Sequence, residues 1–311
     1  MPELPEVETT RRGIAPALIG RRALELRVRE RRLRWPITAD IENAVRGQIV
    51  RAVERRAKYL LLRFDTGTAI VHLGMSGSLR VLAATTPAGT HDHWDLRLET
   101  GLCLRYHDPR RFGSLHFTAD DPNRHPLLAR LAPEPLSAAF DAAGLFAATR
   151  GRRVAIKALL MNSHLVVGVG NIYASEALFL AGVHPCLPAG RLSRAQAAAV
   201  TGAVKQVLAA AIRTGGTTLR DYVDPSGAPG YFRQELTVYE RTGQPCRRCG
   251  TPIEQRILCQ RSTYWCPTCQ ARRRKPLNSC ACVSSPPRRS DGRTPTHRRR
   301  GPQSRGPASR R

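Results

Sequence analysis

Four cysteines in the pattern Cys246-x2-Cys249 and Cys266-x2-Cys269, with 16 residues between the pairs, constrain the fold of this chain most tightly. Two thiolate knuckles at this spacing match a closed, tetrahedral Zn2+ site of the structural kind, with no coordination position left for water. Free or redox-active thiols are the alternative. Between the pairs, Gln260-Arg261-Ser262-Thr263-Tyr264-Trp265 suits a β-ribbon that presents Arg261 to a phosphate. Taken alone, Arg261 reads as a solvated charge. The amino terminus lacks the apolar core of a signal peptide, so a cytoplasmic chain is expected. Its nine cysteines then read as metal ligands or free thiols, not a disulfide set.

The charge balance points to a polyanionic partner. Net charge is +26 and the pI near 11.2. Residues 271–311 hold 13 Lys/Arg against one acid, Asp291, so the tail carries +12 and the remainder +14. The body is basic without its tail. A membrane surface is the other polyanion, but no apolar run reaches the roughly 18 residues a span needs. No membrane partner is expected.

With 311 residues and 41% hydrophobic content, two domains can each bury a core. Leu24, Leu26 and Val28 alternate with Glu25, Arg27 and Arg29, the pattern of a strand with one wet face. Tyr59–Phe64 and Ala69–Leu73 read as a hairpin across Asp65-Thr66-Gly67-Thr68, and Trp94, Leu96 and Leu98 face Leu102, Leu104 and Tyr106. This predicts a β-sandwich over 1–118, followed by a connecting segment, 119–150. Residues 151–235 read as helical, with a capping box at Ser193 and Gln196 and an apolar face of Val200, Val204, Val207, Leu208, Ala211 and Ile212. Within it, 217–234 reads as a long functional loop. The cysteine unit takes 236–271, and 272–311 is expected to be a disordered basic tail.

Three stretches carry chemistry. In Met1-Pro2-Glu3-Leu4-Pro5-Glu6-Val7-Glu8, loss of Met1 leaves Pro2 with a free secondary amine beside two carboxylates. An α-amine titrates near 7.7–8.0, about two units below lysine, so it is a competent nucleophile for a Schiff base. On residue types alone the octet reads first as a helix start, with Pro5 at the first position, acids at the positive end of the dipole and Arg11 and Arg12 at the other. The second is Val166-Val167-Gly168-Val169-Gly170-Asn171-Ile172-Tyr173, preceded by Lys157. Glycines before a helix admit a phosphate to backbone amides, with Asn171 as cap and donor; tight helix packing is the plainer reading. The third pairs His72-Leu73-Gly74-Met75-Ser76-Gly77 with Asp108-Pro109-Arg110-Arg111-Phe112-Gly113. Met75 and Phe112 would otherwise be core residues, and Arg110 and Lys58 surface charges.

Taken in their order along the chain, the three stretches and the cysteine unit resemble the bacterial formamidopyrimidine-DNA glycosylases over about residues 2–271. The resemblance implies an α+β, two-domain fold: an N-terminal β-sandwich, then a helical domain with a helix–two-turns–helix motif and a zinc-finger β-hairpin. It implies a DNA glycosylase with lyase activity on oxidised purines, with Pro2 as nucleophile, Glu3, Lys58 and Arg261 as further catalytic groups and Glu6 in support. Met75, Arg110 and Phe112 would fill the void left by a flipped base. His93, Arg111, Lys157 and Asn171 complete the expected DNA contacts, and His91, Asp92 and His93 gain no metal role. The partner implied is double-stranded DNA with an oxidised base, bound by a monomer in the cytoplasm and nucleoid. An endonuclease VIII-like enzyme for oxidised pyrimidines, an inactive DNA-binding paralogue and a nucleoid compactor are the alternatives. The chain departs from the pattern at Cys259, a candidate competitor for zinc, and in its tail with Cys280 and Cys282.

Overall fold

The computed structural model describes residues 2–215 and 236–271. The expectations for Met1, for the loop 217–234 and for the tail 272–311 fall outside them. Helix α1 (Leu4–Leu18) leads into β1 (Ala23–Val28), α2 (Asp40–Val45), β2 (Ala52–Arg56), β3 (Tyr59–Phe64), β4 (Gly67–His72), β5 (Ser78–Ala83), β6 (Asp92–Leu98), β7 (Leu102–His107) and β8 (Ser114–Thr118). These strands form two antiparallel four-stranded sheets, β1-β6-β7-β5 and β2-β3-β4-β8. They share one core, in which Trp94 stacks on its cross-strand partner Tyr106 with ring centroids 5.3 Å apart.

The expected pairing of Trp94 with Tyr106 and Leu96 with Leu104 is the one observed. One residue departs from the period-two reading: Leu24 is exposed, because the register shifts between Ala23 and Glu25 and a bulge turns it outward. Helix α1 also runs past the expected end. Arg11 and Arg12 lie mid-helix and clamp Glu8 instead of meeting the C-terminal dipole. Leu4, Val7, Ile14 and Leu18 of α1 are fully buried, each contributing about 1.5–3 kcal/mol of transfer free energy.

A second core lies among α3 (Ala142–Thr149), α4 (Ile156–Leu160), α5 (Asn171–Leu180) and α6 (Arg194–Arg213). Helix α3 falls within the segment read as connecting, and its Leu145 joins this core. The capping box forms as expected, with Ser193 Oγ accepting from the Gln196 amide at 3.1 Å and Gln196 Oε1 accepting from the Ser193 amide at 3.0 Å. By length and composition α6 could cross a membrane, which corrects the expectation that no run is long enough. Its buried stripe of Val200, Val204, Leu208 and Ala211, packed against α5, α3 and α1, accounts for that apolarity as a protein core. The last unit is the hairpin of β9 (Glu254–Leu258) and β10 (Arg261–Trp265), which packs its Tyr264 with Phe179 of α5.

Candidate active site

The chain's amino end is pinned across the joint between the two cores. Leu4 donates its amide to Gly168 O at 3.1 Å. The buried Glu3 carboxylate accepts the amides of Gly170 at 2.7 Å, Ile172 at 3.0 Å and Tyr173 at 3.4 Å. Glu6 closes the arrangement, taking the Glu3 amide at 2.8 Å and the Tyr173 hydroxyl at 2.6 Å. The glycines are now explained. A Cβ at Gly168, where φ is +79°, would lie 2.5 Å from Leu4, and one at Gly170 would lie 2.2 Å from the Glu3 carboxyl carbon. The anion seated on the start of α5 is therefore Glu3, not a phosphate. Pro2, next to Glu3 in the chain, is buried as well.

Lys58 lies in the tight turn joining β2 to β3, where Ala57 adopts a φ of +56°. Glu134 braces that turn, accepting from the Ala57 amide at 2.7 Å and from Arg55 and Arg56. The Lys58 ammonium has no hydrogen-bond partner among the described residues. Burial pulls its pKa below the usual lysine value, against the opposing pull of Glu3 and Glu6. Burial likewise raises the Glu3 carboxyl, opposed chiefly by Lys58. Arg261, exposed at the start of β10, adds its charge to the field that Lys58 and Lys157 feel. Pro2, Glu3, Lys58 and Arg261 thus belong to one neighbourhood.

Lys157 does not face a partner, contrary to expectation. It is 1% exposed, and its Nζ donates to Asn171 Oδ1 at 2.6 Å, Ser262 O at 2.9 Å and Thr263 Oγ1 at 2.9 Å. All three protons are engaged, so it latches α5 to the hairpin. Asn171 is the first residue of α5, with Gly170 as the cap, and its Nδ2 donates to Ser262 O at 3.0 Å. His93 also differs from expectation: it is buried, with Nε2 2.7 Å from Asp108 O.

The two void-filling loops do meet. A Cβ at Gly74 would fall 2.5 Å from the Gly113 amide, so the loops touch backbone to backbone. Asp108 is fully buried and ties them together, accepting from Ser76 Oγ at 2.7 Å, Tyr106 OH at 2.9 Å and the Gly113 amide at 2.9 Å. Phe112 is 41% exposed with the Arg110 guanidinium 4.8 Å from its ring centre, and Met75 is half-buried. None of the three is a core residue or an isolated charge. Arg111 pairs with Glu30 at 3.3 Å.

The sulfurs of Cys246, Cys249, Cys266 and Cys269 lie within 4.8 Å of one another, with close pairs at 3.4, 3.5 and 3.9 Å. A Zn–S bond of about 2.3 Å gives tetrahedral edges near 3.8 Å. The cluster fits one structural zinc. Cys259, in the hairpin turn, stands outside it.

Family models match most of the chain in three pieces: the formamidopyrimidine-DNA glycosylase N-terminal domain over residues 1–115, its H2TH domain over 131–223, and the zinc finger found in FPG and IleRS over 243–272. A formamidopyrimidine-DNA glycosylase of Alkalilimnicola ehrlichii is 59% identical over 276 residues, spanning 87% of this chain and all of that protein. The chain belongs to the formamidopyrimidine-DNA glycosylase family. Among solved structures, the MutM (Fpg) protein of Thermus thermophilus is 41% identical with a TM-score of 0.78, covering 86% of this chain and 98% of that one. A Lactococcus lactis Fpg mutant in complex with Fapy-dG-containing DNA is 31% identical with a TM-score of 0.82, covering 87% and 100%.

Within this glycosylase framework, three residues stand out to which the sequence alone assigned no role of their own. Asp108 and Glu134 are buried or half-buried acids among arginines, a pattern common on any basic surface. His72 is the third. Its Nδ1 accepts the Gly74 amide at 3.0 Å, and burial, helped by Lys58 and Arg34, pushes its pKa down to about 4. The ring is neutral at physiological pH and keeps an Nε2–H to donate. Its place in the quoted motif was the only available signal.

Proposed function

We propose that this protein is a bifunctional DNA glycosylase and lyase that removes oxidised purines, 8-oxoguanine and formamidopyrimidines, from duplex DNA in base excision repair. The observation that carries the reading is the amino end of the chain, pinned through Glu3 and Glu6 against α5 within the field of Lys58 and Arg261, where loss of Met1 would leave Pro2 as a secondary amine. Family membership and the DNA-bound relatives agree with it.

The chemistry follows from these groups. After removal of Met1, the Pro2 nitrogen attacks C1′ of the flipped nucleotide, and the bond from C1′ to the base breaks, the base leaving with a proton. Glu3, whose carboxyl holds its proton more tightly than usual, delivers one to the ring oxygen as the sugar opens to an iminium. The iminium draws electrons from C2′, so loss of a 2′ proton expels the 3′ phosphate, and a second elimination expels the 5′ phosphate. Lys58, with its lowered pKa, moves protons in these steps, and Arg261 steadies the departing phosphate. Met75, Arg110 and Phe112 occupy the gap in the duplex. Asn171, Arg111, Lys157 and His93 support the DNA-facing elements, the last two from inside. Zinc holds the hairpin that carries Arg261 and takes no part in bond making. One copy carries every group named, so a monomer acting on chromosomal DNA in the cytoplasm suffices.

Borohydride trapping on a duplex with one 8-oxoguanine opposite cytosine, followed by mass mapping, tests this. A stable adduct on Pro2 is expected. An adduct on a lysine relocates the nucleophile, and binding without any adduct overturns the enzyme.

A further inference from the structure

The tip that precedes α2 is unused by the mechanism above. Arg32 and Pro36 bridge to each other, and between them Leu33 turns into the sandwich core while Arg34 and Trp35 project outward. The tip is braced: Leu33 and Ile37 both donate to Arg31 O at 3.0 Å, and Arg31 is ion-paired with Glu42. Trp35 is 49% exposed, whereas Trp94 and Trp265, the other tryptophans, are 1% and 7% exposed. Large aromatic surface left in water on a rigid support favours a partner.

Charge and position say which partner. Glu30, the acid nearest in sequence, is already held by Arg32 and Arg111. Many neighbouring arginines are neutralised by carboxylates, but Arg34 and Arg110 have none among the described residues. The Arg34 amide donates to Gly113 O at 3.2 Å, and Arg111 of the same loop reaches Glu30, so the tip is zipped to the void-filling loop. The Arg34 charge also registers at Tyr59 and His72, beside Lys58. An exposed aromatic next to an unpaired guanidinium is the pairing that holds a nucleotide, ring on base or sugar and cation on phosphate.

We infer that the tip Arg32–Pro36 is a further arm of the grip on DNA, in which Trp35 stacks on a base or sugar laid open at the bend and Arg34 pairs with the adjoining phosphate. This rests on the DNA-binding reading above and extends it beyond the void-filling residues.

The test uses the full-length protein and a duplex carrying a non-cleavable abasic-site analogue. Trp35→Ala is expected to weaken binding about tenfold, and Trp35→Phe to retain most of it. Arg34→Ala should lower the slope of log affinity against log salt by about one. In the wild type, acrylamide quenching of tryptophan emission should fall on adding the duplex, through a component absent from Trp35→Phe. Thermal melting checks that each variant is folded. Unchanged affinity in Trp35→Ala, with emission still quenchable in the complex, overturns the inference while leaving the glycosylase intact. A wild type that binds the duplex but does not cut an 8-oxoguanine strand overturns the enzyme reading instead.

Discussion

The pinned amino end and the void-filling loops sit on one molecule, and they treat their polar groups in opposite ways. Around Glu3 the carboxylate is met by three amides, and Glu6 by an amide and a hydroxyl. At the loops, the side chains of Arg110 and Phe112 stand in solvent, stacked on each other and with no hydrogen bond or ion pair among the described residues. The amino end must be held to fractions of an ångström before substrate arrives, so the carboxylates that pin it have their partners without it. Groups that replace a missing base gain their partners only in the complex, so they are left unsatisfied. Rigidity is nonetheless supplied to both, by Gly170 and α5 in one case and by the buried Asp108 in the other.

Breaking the pinned side should have the largest effect. Gly170→Ala places a methyl carbon against the Glu3 carboxyl group. It should lower the single-turnover cleavage rate by on the order of 10²-fold or more, with affinity for an abasic-analogue duplex much less affected. Equal losses in rate and affinity would show that the pin also shapes the DNA surface.

Removing zinc comes next, because the metal reaches the site only through the hairpin. A strong chelator, or Cys249→Ser, should release the hairpin strand that Lys157 and Asn171 hold at Ser262 and Thr263. Arg261 then loses its place, and DNA affinity should fall about tenfold or more. Trp94, buried in the sandwich core, should keep its emission. Loss of that emission would mean that the two units do not fold separately.

On the exposed side, Arg110→Ala should reduce discrimination for cytosine opposite the lesion by about tenfold. Its stability should change by no more than about 0.5 kcal/mol, as for other surface positions. Competition between duplexes differing in the opposite base gives the first quantity, and urea unfolding the second.

The same contrast governs what could be read from the residues alone. Local rules delivered the Ser193 capping box, the Trp94–Tyr106 register and the zinc cysteines, since each depends on neighbours in sequence or on a fixed spacing. The octet at the amino end was legible as chemistry but not as geometry. The amides that donate to Glu3 lie more than 160 residues away, and nothing local says that Gly168 and Gly170 make room for Leu4 and Glu3. Lys157 and His93 failed for one reason: a polar side chain gives no sign of whether its hydrogen bonds are made inside or outside the protein. Leu24 was lost to a bulge, and the turn that presents Lys58 depends on a left-handed Ala57; both are backbone events without a residue-type signal.

Lys157 offers the smallest and sharpest test, because it asks whether a latch behind the site keeps its charge when buried. Burial lowers its pKa from 10.5 to about 8, despite the opposing pull of Glu3. Below pH 8 both folded and unfolded chains hold the proton, so the burial penalty is present in full and constant. Between pH 8 and 10.5 the folded form releases its proton while the unfolded form keeps it. The unfolded state then binds more protons, and stability contributed by this group rises with pH across that window. Urea unfolding of the wild type, referenced to Lys157→Met at each pH, should show a gain approaching about 1 kcal/mol per pH unit there and a flat difference below it. A difference that falls with pH instead would mean that Asn171, Ser262 and Thr263 stabilise the ammonium more than burial opposes it. The latch would then depend on the charge itself, and alkali would loosen the hairpin from α5 before it reached Glu3.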